Sequence, residues 1–154
     1  MRLNESHMIM LKLSKKSDYA LIAVRHLATR RSSHACSASD IAEAYGISAT
    51  LLAKVLQRLA KHGLVTARHG SSGGYQLSRP AKEITALEVI SAVDGPLMIT
   101  SCITNHGACD QTSTCTVREP LRRVNDSILQ VLRAVTISQM SEDAPEAELV
   151  GLPS

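Results

Sequence analysis

Two short amphipathic segments joined by a tight turn that contains one glycine constrain the fold of this chain more than any other feature. Ser37 followed by Asp40 is the pattern of a capping box that begins a helix. Gly46 stands where glycine commonly ends one, and Ser48 can cap the next helix after a turn of a few residues. The second segment stops at Gly63. The spacing therefore predicts a helix-turn-helix.

Composition and periodicity extend this prediction to a mainly α-helical chain. Aromatic residues make up only 2% of the sequence, with three Tyr and neither Phe nor Trp, so the core is expected to be aliphatic with close helix contacts. Apolar residues recur at helical spacing over residues 17–30, and Thr85 with Glu88 opens another helix. A long helix is predicted over residues 118–136, with Pro120 tolerated in its first turn.

A hairpin is predicted directly after the helix-turn-helix. The segments "LVTAR" and "GYQLS" read as two short strands on either side of the small-residue loop "HGSSGG". A helix-turn-helix followed by such a hairpin is a winged helix. The fold class is therefore predicted as mainly α: a winged helix-turn-helix domain of three helices and a two-stranded wing, with a long C-terminal dimerisation helix.

The chain is divided by composition into five segments. We expect a disordered or mis-called N-terminal extension over residues 1–10, the winged-helix domain over 11–96, a cysteine-rich loop over 97–117, the dimerisation helix over 118–140 and a disordered acidic tail over 141–154. No apolar run reaches membrane-spanning length and no signal-peptide core is present, so a cytoplasmic protein is expected.

The middle of the chain has the charge pattern of a surface that binds a polyanion. The net charge is only +3, but the span from Tyr45 to Lys82 contains no Asp or Glu. The predicted second helix of the helix-turn-helix carries donors on its outer face, which suits the major groove of DNA; the alternatives are an ordinary solvated face and, for the hairpin, a plain turn. The residues predicted to contact DNA are Ser48, Thr50, Lys54, Gln57, Arg58, Lys61, Arg68, His69, Gly70, Ser71, Ser72 and Gly73.

The last helix has apolar residues that step by three and four, as in a coiled-coil seam of about two heptads. This pattern predicts a homodimer on duplex DNA with two half-sites. Packing of the helix on its own domain is the alternative. The residues predicted to form the dimer contact are Leu121, Val124, Ile128, Val131 and Val135.

Three of the four cysteines lie in one polar segment, as Cys102, Cys109 and Cys115. They contain no C-x-x-C pair, the usual arrangement of structural zinc knuckles. Three thiolates leave one position for a different ligand, and iron–sulfur clusters are held by thiolates. Free thiols, zinc with His106 as fourth ligand and a redox disulfide are the alternatives. Cys36 lies apart and is expected to be a small buried or loop thiol.

Several segments together resemble the Rrf2 family of winged-helix iron–sulfur transcription regulators, which includes the IscR, NsrR and SUF-operon groups. The resemblance rests on "LKLSKKSDYALIAVRHLA", "ISATLLAKVLQRLAKHGLV", "GGYQLSRPAKEITALEVISAVDGP" and the three spaced cysteines, and it runs from about Leu11 to Met140. It implies a homodimer with crossed long helices, a cluster near the dimer interface and transcriptional control. It implies no enzymatic activity, no small-molecule substrate and no membrane association.

The resemblance also bears on the cluster ligands. Arg118 stands where the IscR group has a histidine, whereas Asp18 matches an aspartate that the NsrR group supplies from the partner subunit. The ligand set implied is Cys102, Cys109 and Cys115 with Asp18 of the partner, around a [2Fe–2S] rather than a [4Fe–4S] cluster. An acid favoured by the helix dipole is the alternative for Asp18.

The C-terminal segment "CTVREPLRRVNDSILQVLRAVTISQM" is most similar to regulators of SUF cluster-assembly genes. The similarity implies a repressor that occupies its promoter when loaded with cluster and releases it, or changes sites, when the cluster is lost. A nitric oxide or redox-sensing repressor of the same family and a metal-free thiol-switch DNA-binding protein are the alternatives. A small redox enzyme is disfavoured because the chain has no dinucleotide-binding motif.

Overall fold

The computed structural model of the chain describes residues 13–30, 34–98 and 117–142. These residues form a helical domain with one antiparallel hairpin, which confirms the predicted fold class. The elements in chain order are α1 (Lys15–Thr29), α2 (Ala38–Tyr45), α3 (Ala49–Lys61), β1 (Val65–Arg68), β2 (Gly74–Leu77), a 3-10 turn (Ala81–Glu83), α4 (Ala86–Asp94), α5 (Arg118–Ala134) and α6 (Ile137–Glu142).

The helix-turn-helix forms where the sequence predicts it. Ser37 and Asp40 make the reciprocal capping box at the start of α2. Gly46 ends α2 in the left-handed conformation with φ 63°, which a glycine adopts without steric cost. The Ser48 hydroxyl accepts a hydrogen bond from the Leu51 amide at 3.4 Å at the start of α3. Local chemistry therefore sets where α2 ends and α3 begins.

The core lies between α1, α2, α3 and α4 and is aliphatic, as the composition predicts. Its fully buried side chains come from all four helices, and those of α3 project from a single face. Truncating one of these leucines to alanine would cost about 2–5 kcal/mol because a cavity is left behind. The largest core side chains that are 0% exposed are Val24, Ile41, Leu52, Leu56, Leu59, Ile84, Val89 and Ile137.

The wing is anchored to the domain through the loop before α2. β1 and β2 pair antiparallel, with Val65 opposite Leu77. The Cys36 and Tyr75 backbones exchange two hydrogen bonds of 3.0 and 2.7 Å, so Cys36 adds a short bridge to the sheet edge. A Cβ on Gly74 would lie 2.5 Å from the Cys36 carbonyl atoms, and its φ is 149°. Only glycine permits this close approach.

The C-terminal boundaries differ from the prediction. The long helix ends at Ala134 rather than Thr136, and α6 extends to Glu142, so Ser141 and Glu142 are helical rather than part of a disordered tail. The Ile137 amide donates to the Ile84 carbonyl at 2.9 Å, and its side chain is 0% exposed. The chain turns at this point because an isoleucine fills the core there. None of the described helices is long and apolar enough to cross a membrane.

His26 is a buried titratable group on α1, at 7% exposure. Its Nδ1 lies 3.1 Å from the Tyr45 hydroxyl, and its Nε2 has no hydrogen-bond partner among the described residues. Burial, followed by the positive charge of Arg30, lowers the pKa of His26 below its ordinary value of 6.5, and Asp40 opposes this less strongly. The folded state therefore favours the neutral imidazole.

This pKa direction predicts acid destabilisation. Because unfolded His26 binds a proton more readily, the free energy of unfolding is expected to fall as the pH drops below 6.5, and to be unaffected by this group well above it. His26→Phe keeps a ring but cannot titrate, so it should flatten this pH dependence. Urea unfolding between pH about 7.5 and about 5.5, at one protein concentration, measures it. The exposed His34, replaced by Gln, is the matched control; equal slopes in wild type and His26→Phe would contradict the assignment.

Candidate nucleic-acid interface

The outer face of α3 is exposed and carries no acid. Successive helical residues are about 100° apart, which places the predicted donors within roughly one third of the helix circumference. Within the described residues, none of their charged side chains lies within 4.0 Å of a carboxylate. Leu52, Val55, Leu56 and Leu59 are buried on the opposite side, and Leu51 is half-buried at the edge. The exposed donors on this face are Thr50, Lys54, Gln57, Arg58 and Lys61, with Ser48 at the cap.

The wing presents a second exposed basic group at its tip. Residues 68–72 are exposed and Gly73 is half-buried. The Gln76 amide, with its oxygen toward the guanidinium, accepts from Arg68 at 2.8 and 3.1 Å, which orients that cation across the hairpin. A Cβ on Gly73 would lie 2.5 Å from the Arg68 carbonyl oxygen, so the tip can close only around glycine. The result is a narrow turn with Arg68 and His69 exposed beside it.

Arg79 also lies in the acid-free span of the sequence, but the fold gives it a structural role. Its Nη2 pairs with Glu88 Oε1 at 2.9 Å and its Nη1 donates to the Glu83 carbonyl at 3.1 Å. Burial acts to raise the pKa of Glu88, but bonds from the Thr85 amide and from Arg79 outweigh it and hold that pKa below its ordinary value. Arg79 therefore joins the wing to α4 and is not a free donor.

The predicted dimer residues lie on an apolar strip of α5, except the last. Val124 and Val131 are 50% and 63% exposed, and Ile128 is half-buried between them. Val135 lies beyond the helix as its C-cap residue, and its carbonyl accepts from Ala86. Leu132, which the sequence pattern did not single out, also lines the shallow groove of about 430 Å³ along this strip. Leu121 lies about one turn before Val124 and is half-buried.

The predicted thiolate ligands Cys102, Cys109 and Cys115, and the alternative ligand His106, lie outside the described residues. Asp18 is exposed in the first turn of α1. Within the described ranges, no group of three or more His, Cys, Asp or Glu side chains is placed to hold a metal ion. Cys36 is a buried free thiol, as predicted. Three thiols in one segment are nevertheless a donor set whose chemistry fits an iron–sulfur cluster.

One contact near Asp18 was not predicted. The Asp94 carboxylate, at the end of α4, accepts hydrogen bonds from the hydroxyls of Ser14 and Ser17 at the start of α1. Ser17 is completely buried although it is polar. These residues are 77 and 80 positions apart from Asp94, so no local pattern could reveal the contact. It fixes the first turn of α1 to the end of the helix that leads into the cysteine segment.

Comparison with known proteins agrees with this architecture. The family model Rrf2, described as an iron-dependent transcriptional regulator, matches residues 13–143. The HTH-type transcriptional regulator IscR of Cronobacter sakazakii is 33% identical over 130 residues, which cover 84% of this chain and 80% of the relative. The structure of T. potens IscR is similar with a TM-score of 0.71 and 30% identity, covering 90% of this chain and 91% of that one.

A second solved structure is similar to the same degree. CymR, the global cysteine regulator of B. subtilis, has a TM-score of 0.71 and 27% identity, and the match covers 86% of this chain and 98% of CymR. The family match spans most of the chain, and it includes the winged helix, α5 and α6. The chain therefore belongs to the Rrf2 family of winged-helix transcriptional regulators, and it is a DNA-binding regulator rather than an enzyme.

Proposed function

We propose that the protein is a dimeric repressor whose hold on DNA depends on an iron–sulfur cluster bound by Cys102, Cys109 and Cys115. The observation that carries the proposal is the exposed, acid-free face of α3 beside an exposed basic wing. In the sequence, three thiols lie between α4 and α5, the helix proposed to pair two subunits.

The DNA contacts divide into two kinds. Lys54, Lys61, Arg68 and His69 are proposed to bind phosphates. Lys54, Lys61 and Arg68 are exposed cations without a carboxylate partner among the described residues, and their contacts with phosphates would release counterions from the DNA. Ser48 and Thr50, the donors nearest the start of α3, would reach base edges in the major groove, where their hydroxyls can donate or accept. The narrow wing, closed by Gly73, fits the close backbone approach that a groove contact needs.

The two subunits are proposed to pair through α5. Val124 and Val131 expose apolar surface on one strip, which a monomeric protein would normally bury. A second copy of this chain is the occupant we favour, because a two-fold dimer presents two α3 helices to two half-sites of duplex DNA. Residues at spacings of three and four along the strip suit packing of one helix on another.

The cluster is proposed to be a [2Fe–2S] cluster held by the three thiolates and by Asp18 of the partner subunit. When bound, such a cluster supplies a centre that oxidants or loss of iron can remove. Asp18 supports this role because it is exposed at the start of α1, where a second subunit could reach it. The hydrogen bonds that the Ser14 and Ser17 hydroxyls donate to Asp94 hold that turn in place and link it to the helix preceding the thiol segment.

The regulated genes are proposed to be those for SUF-type iron–sulfur assembly. The resemblance of the segment from Cys115 to Met140 to SUF-operon regulators supports this assignment. A repressor that leaves its promoter on losing its cluster would raise the supply of clusters when cells need them. We expect the cluster-loaded protein to bind DNA upstream of the SUF genes and not to bind an unrelated promoter of equal length.

Purification without oxygen tests the cluster proposal directly. We expect coloured protein with about one cluster per chain, acid-labile sulfide and visible absorption. Removal of the cluster should change the affinity for promoter DNA. The proposal would be overturned if the reconstituted protein held neither iron nor sulfide and if replacing or oxidising the thiols did not change its affinity for DNA.

A metal-free thiol switch is the second candidate. The structural likeness to a global cysteine regulator favours it, because that protein shares this fold at a TM-score of 0.71. Colourless protein whose DNA affinity changes with thiol oxidation and returns on reduction would support this candidate over the cluster.

The groove placement predicts a defined salt response. Lys54→Gln and Arg68→Gln should each weaken binding to a duplex and reduce the slope of log affinity against log salt by about one, because each removes one phosphate contact. Arg133→Gln, which removes the same charge from an exposed position on α5, is the control and should leave the slope unchanged. Slopes of both interface variants equal to that of wild type would contradict the placement of α3 and the wing.

A further inference from the structure

We propose that Lys16, on α1, completes a binding cleft with Lys54 and Arg58 of α3, and that this cleft holds one phosphate of the DNA backbone. The inference rests on the proposed placement of α3 on duplex DNA. It adds to the interface a third element, α1, that the sequence pattern did not connect with DNA. Lys16 would act by holding the backbone beside α3 and so fixing the depth and angle at which α3 enters the groove.

The cleft lies between the start of α1, the outer edge of α3 and the end of α4. Its volume is about 140 Å³, several times the roughly 30 Å³ of one water molecule, so a phosphate group fits. Its floor is apolar and its rim is cationic. The lining residues are Leu51, Val55 and Val93 on the floor and Lys16, Lys54 and Arg58 on the rim.

The charged side chains that line the cleft are all cationic. None of the three rim cations forms an ion pair with a carboxylate of the described residues. Asp94, next in sequence to the floor residue Val93, accepts hydrogen bonds from Ser14 and Ser17 instead. Three cations that line one cleft and form no ion pair among the described residues attract an anion, and the anion that α3 would meet is the DNA phosphate.

The first turn of α1 is held firmly enough to position a contact. Ser17 is 0% exposed, and its hydroxyl donates to Asp94. The Ser14 hydroxyl caps the helix by accepting from the Ser17 amide at 3.1 Å. These bonds place the backbone of Lys16 beside α3 before DNA arrives, so less ordering is needed when a phosphate binds.

A purely structural role for Lys16 makes a different prediction. Long cationic side chains often lay their aliphatic stems on apolar surface and keep the charge in water. If Lys16 only covered the apolar floor in this way, removing its charge while keeping its stem would leave DNA binding unchanged. Lys16→Met is the variant that separates the two roles, because it retains an unbranched apolar stem.

The experiment compares salt-dependent binding of a mixed-sequence duplex by wild type, Lys16→Met, Lys16→Arg and Lys15→Met, with urea unfolding to verify that each variant folds. Lys15 is exposed one residue away and does not line the cleft, so it is the matched control. Lys16→Met should bind several-fold more weakly with a salt slope lower by about 0.9. Lys16→Arg and Lys15→Met should keep the wild-type slope.

Two failures are distinguishable. If Lys16→Met keeps the wild-type slope while Lys54→Gln lowers it, α3 contacts DNA but the cleft with Lys16 holds no phosphate. If Lys15→Met lowers the slope as much as Lys16→Met, the effect comes from the net charge of the protein and not from a specific contact. This result would also overturn the proposal that the cleft binds a phosphate. If Lys54→Gln and Arg68→Gln also leave the slope unchanged, the proposed interface itself fails.

Discussion

Cys109→Ala, purified without oxygen, is expected to be colourless and to contain almost no iron or acid-labile sulfide, while remaining folded. Removing one of three thiolates leaves the cluster with too few ligands in a segment that offers no fourth cysteine nearby. The fold should survive because the described core is built from side chains of α1 to α4 and α6. Iron and sulfide analysis with visible absorption measures the loss, and circular dichroism verifies the fold.

Cys36→Ala provides the matched control for this experiment. Cys36 is a buried thiol whose backbone pairs with Tyr75, so its replacement should cost some stability and leave the cluster intact. The affinity of Cys109→Ala for promoter DNA should equal that of cluster-free wild type under the same conditions. If Cys109→Ala holds as much iron and sulfide per chain as wild type, Cys109 is not a ligand. If only Cys36→Ala loses its colour, the cluster is bound by Cys36 in the winged-helix domain.

Val131→Asp is expected to convert the protein to a monomer. Val131 is 63% exposed near the C-terminal end of the α5 strip, and a pair of carboxylates facing each other across a two-fold contact would be both desolvated and repelled. Binding to an operator with two half-sites should weaken by a factor of about 10² or more, because the second half-site is no longer held at high effective concentration. Analytical ultracentrifugation and titration of DNA measure the two effects.

The control places the same carboxylate one residue away. Gln130 is exposed on α5 and is turned about 100° from Val131, so Gln130→Asp should remain dimeric and bind DNA as wild type does. A Val131→Asp protein that sediments as wild type would show that the strip is covered by something other than a second copy. Val124→Asp, seven residues or about two turns earlier on the same strip, should act as Val131→Asp does.

The helix boundaries and the buried face of α3 could be predicted because their causes are local. A serine, a carboxylate three residues later and a glycine at the other end satisfy the free amide and carbonyl groups of α2 wherever the helix lies in the protein. The 3.6-residue period of α3 separates Leu52, Val55, Leu56 and Leu59 from the donors without any tertiary information. The wing could be predicted for the same reason, from two short strand patterns around small residues.

Other features depend on which distant residues meet. The sequence placed Arg79 among the basic residues of the acid-free span, but Glu88 engages it across the turn that leads into α4. The seam on α5 was predicted to include Val135, yet Thr136 bridges to Thr85 and ends the helix before that position. Burial of Ile137 then begins α6, which continues to Glu142, although a disordered tail was expected from Ser141.

The sequence by itself determined the winged helix, the acid-free face of α3 and the identity of the three thiols, because each follows from residue chemistry at short spacing. Only the tertiary structure decided that Asp94 holds the first turn of α1, and that Lys16 thereby lies beside Lys54 and Arg58. Contacts between residues so far apart in the chain are selected by the packing of whole helices. No periodicity or cap in the sequence encodes them.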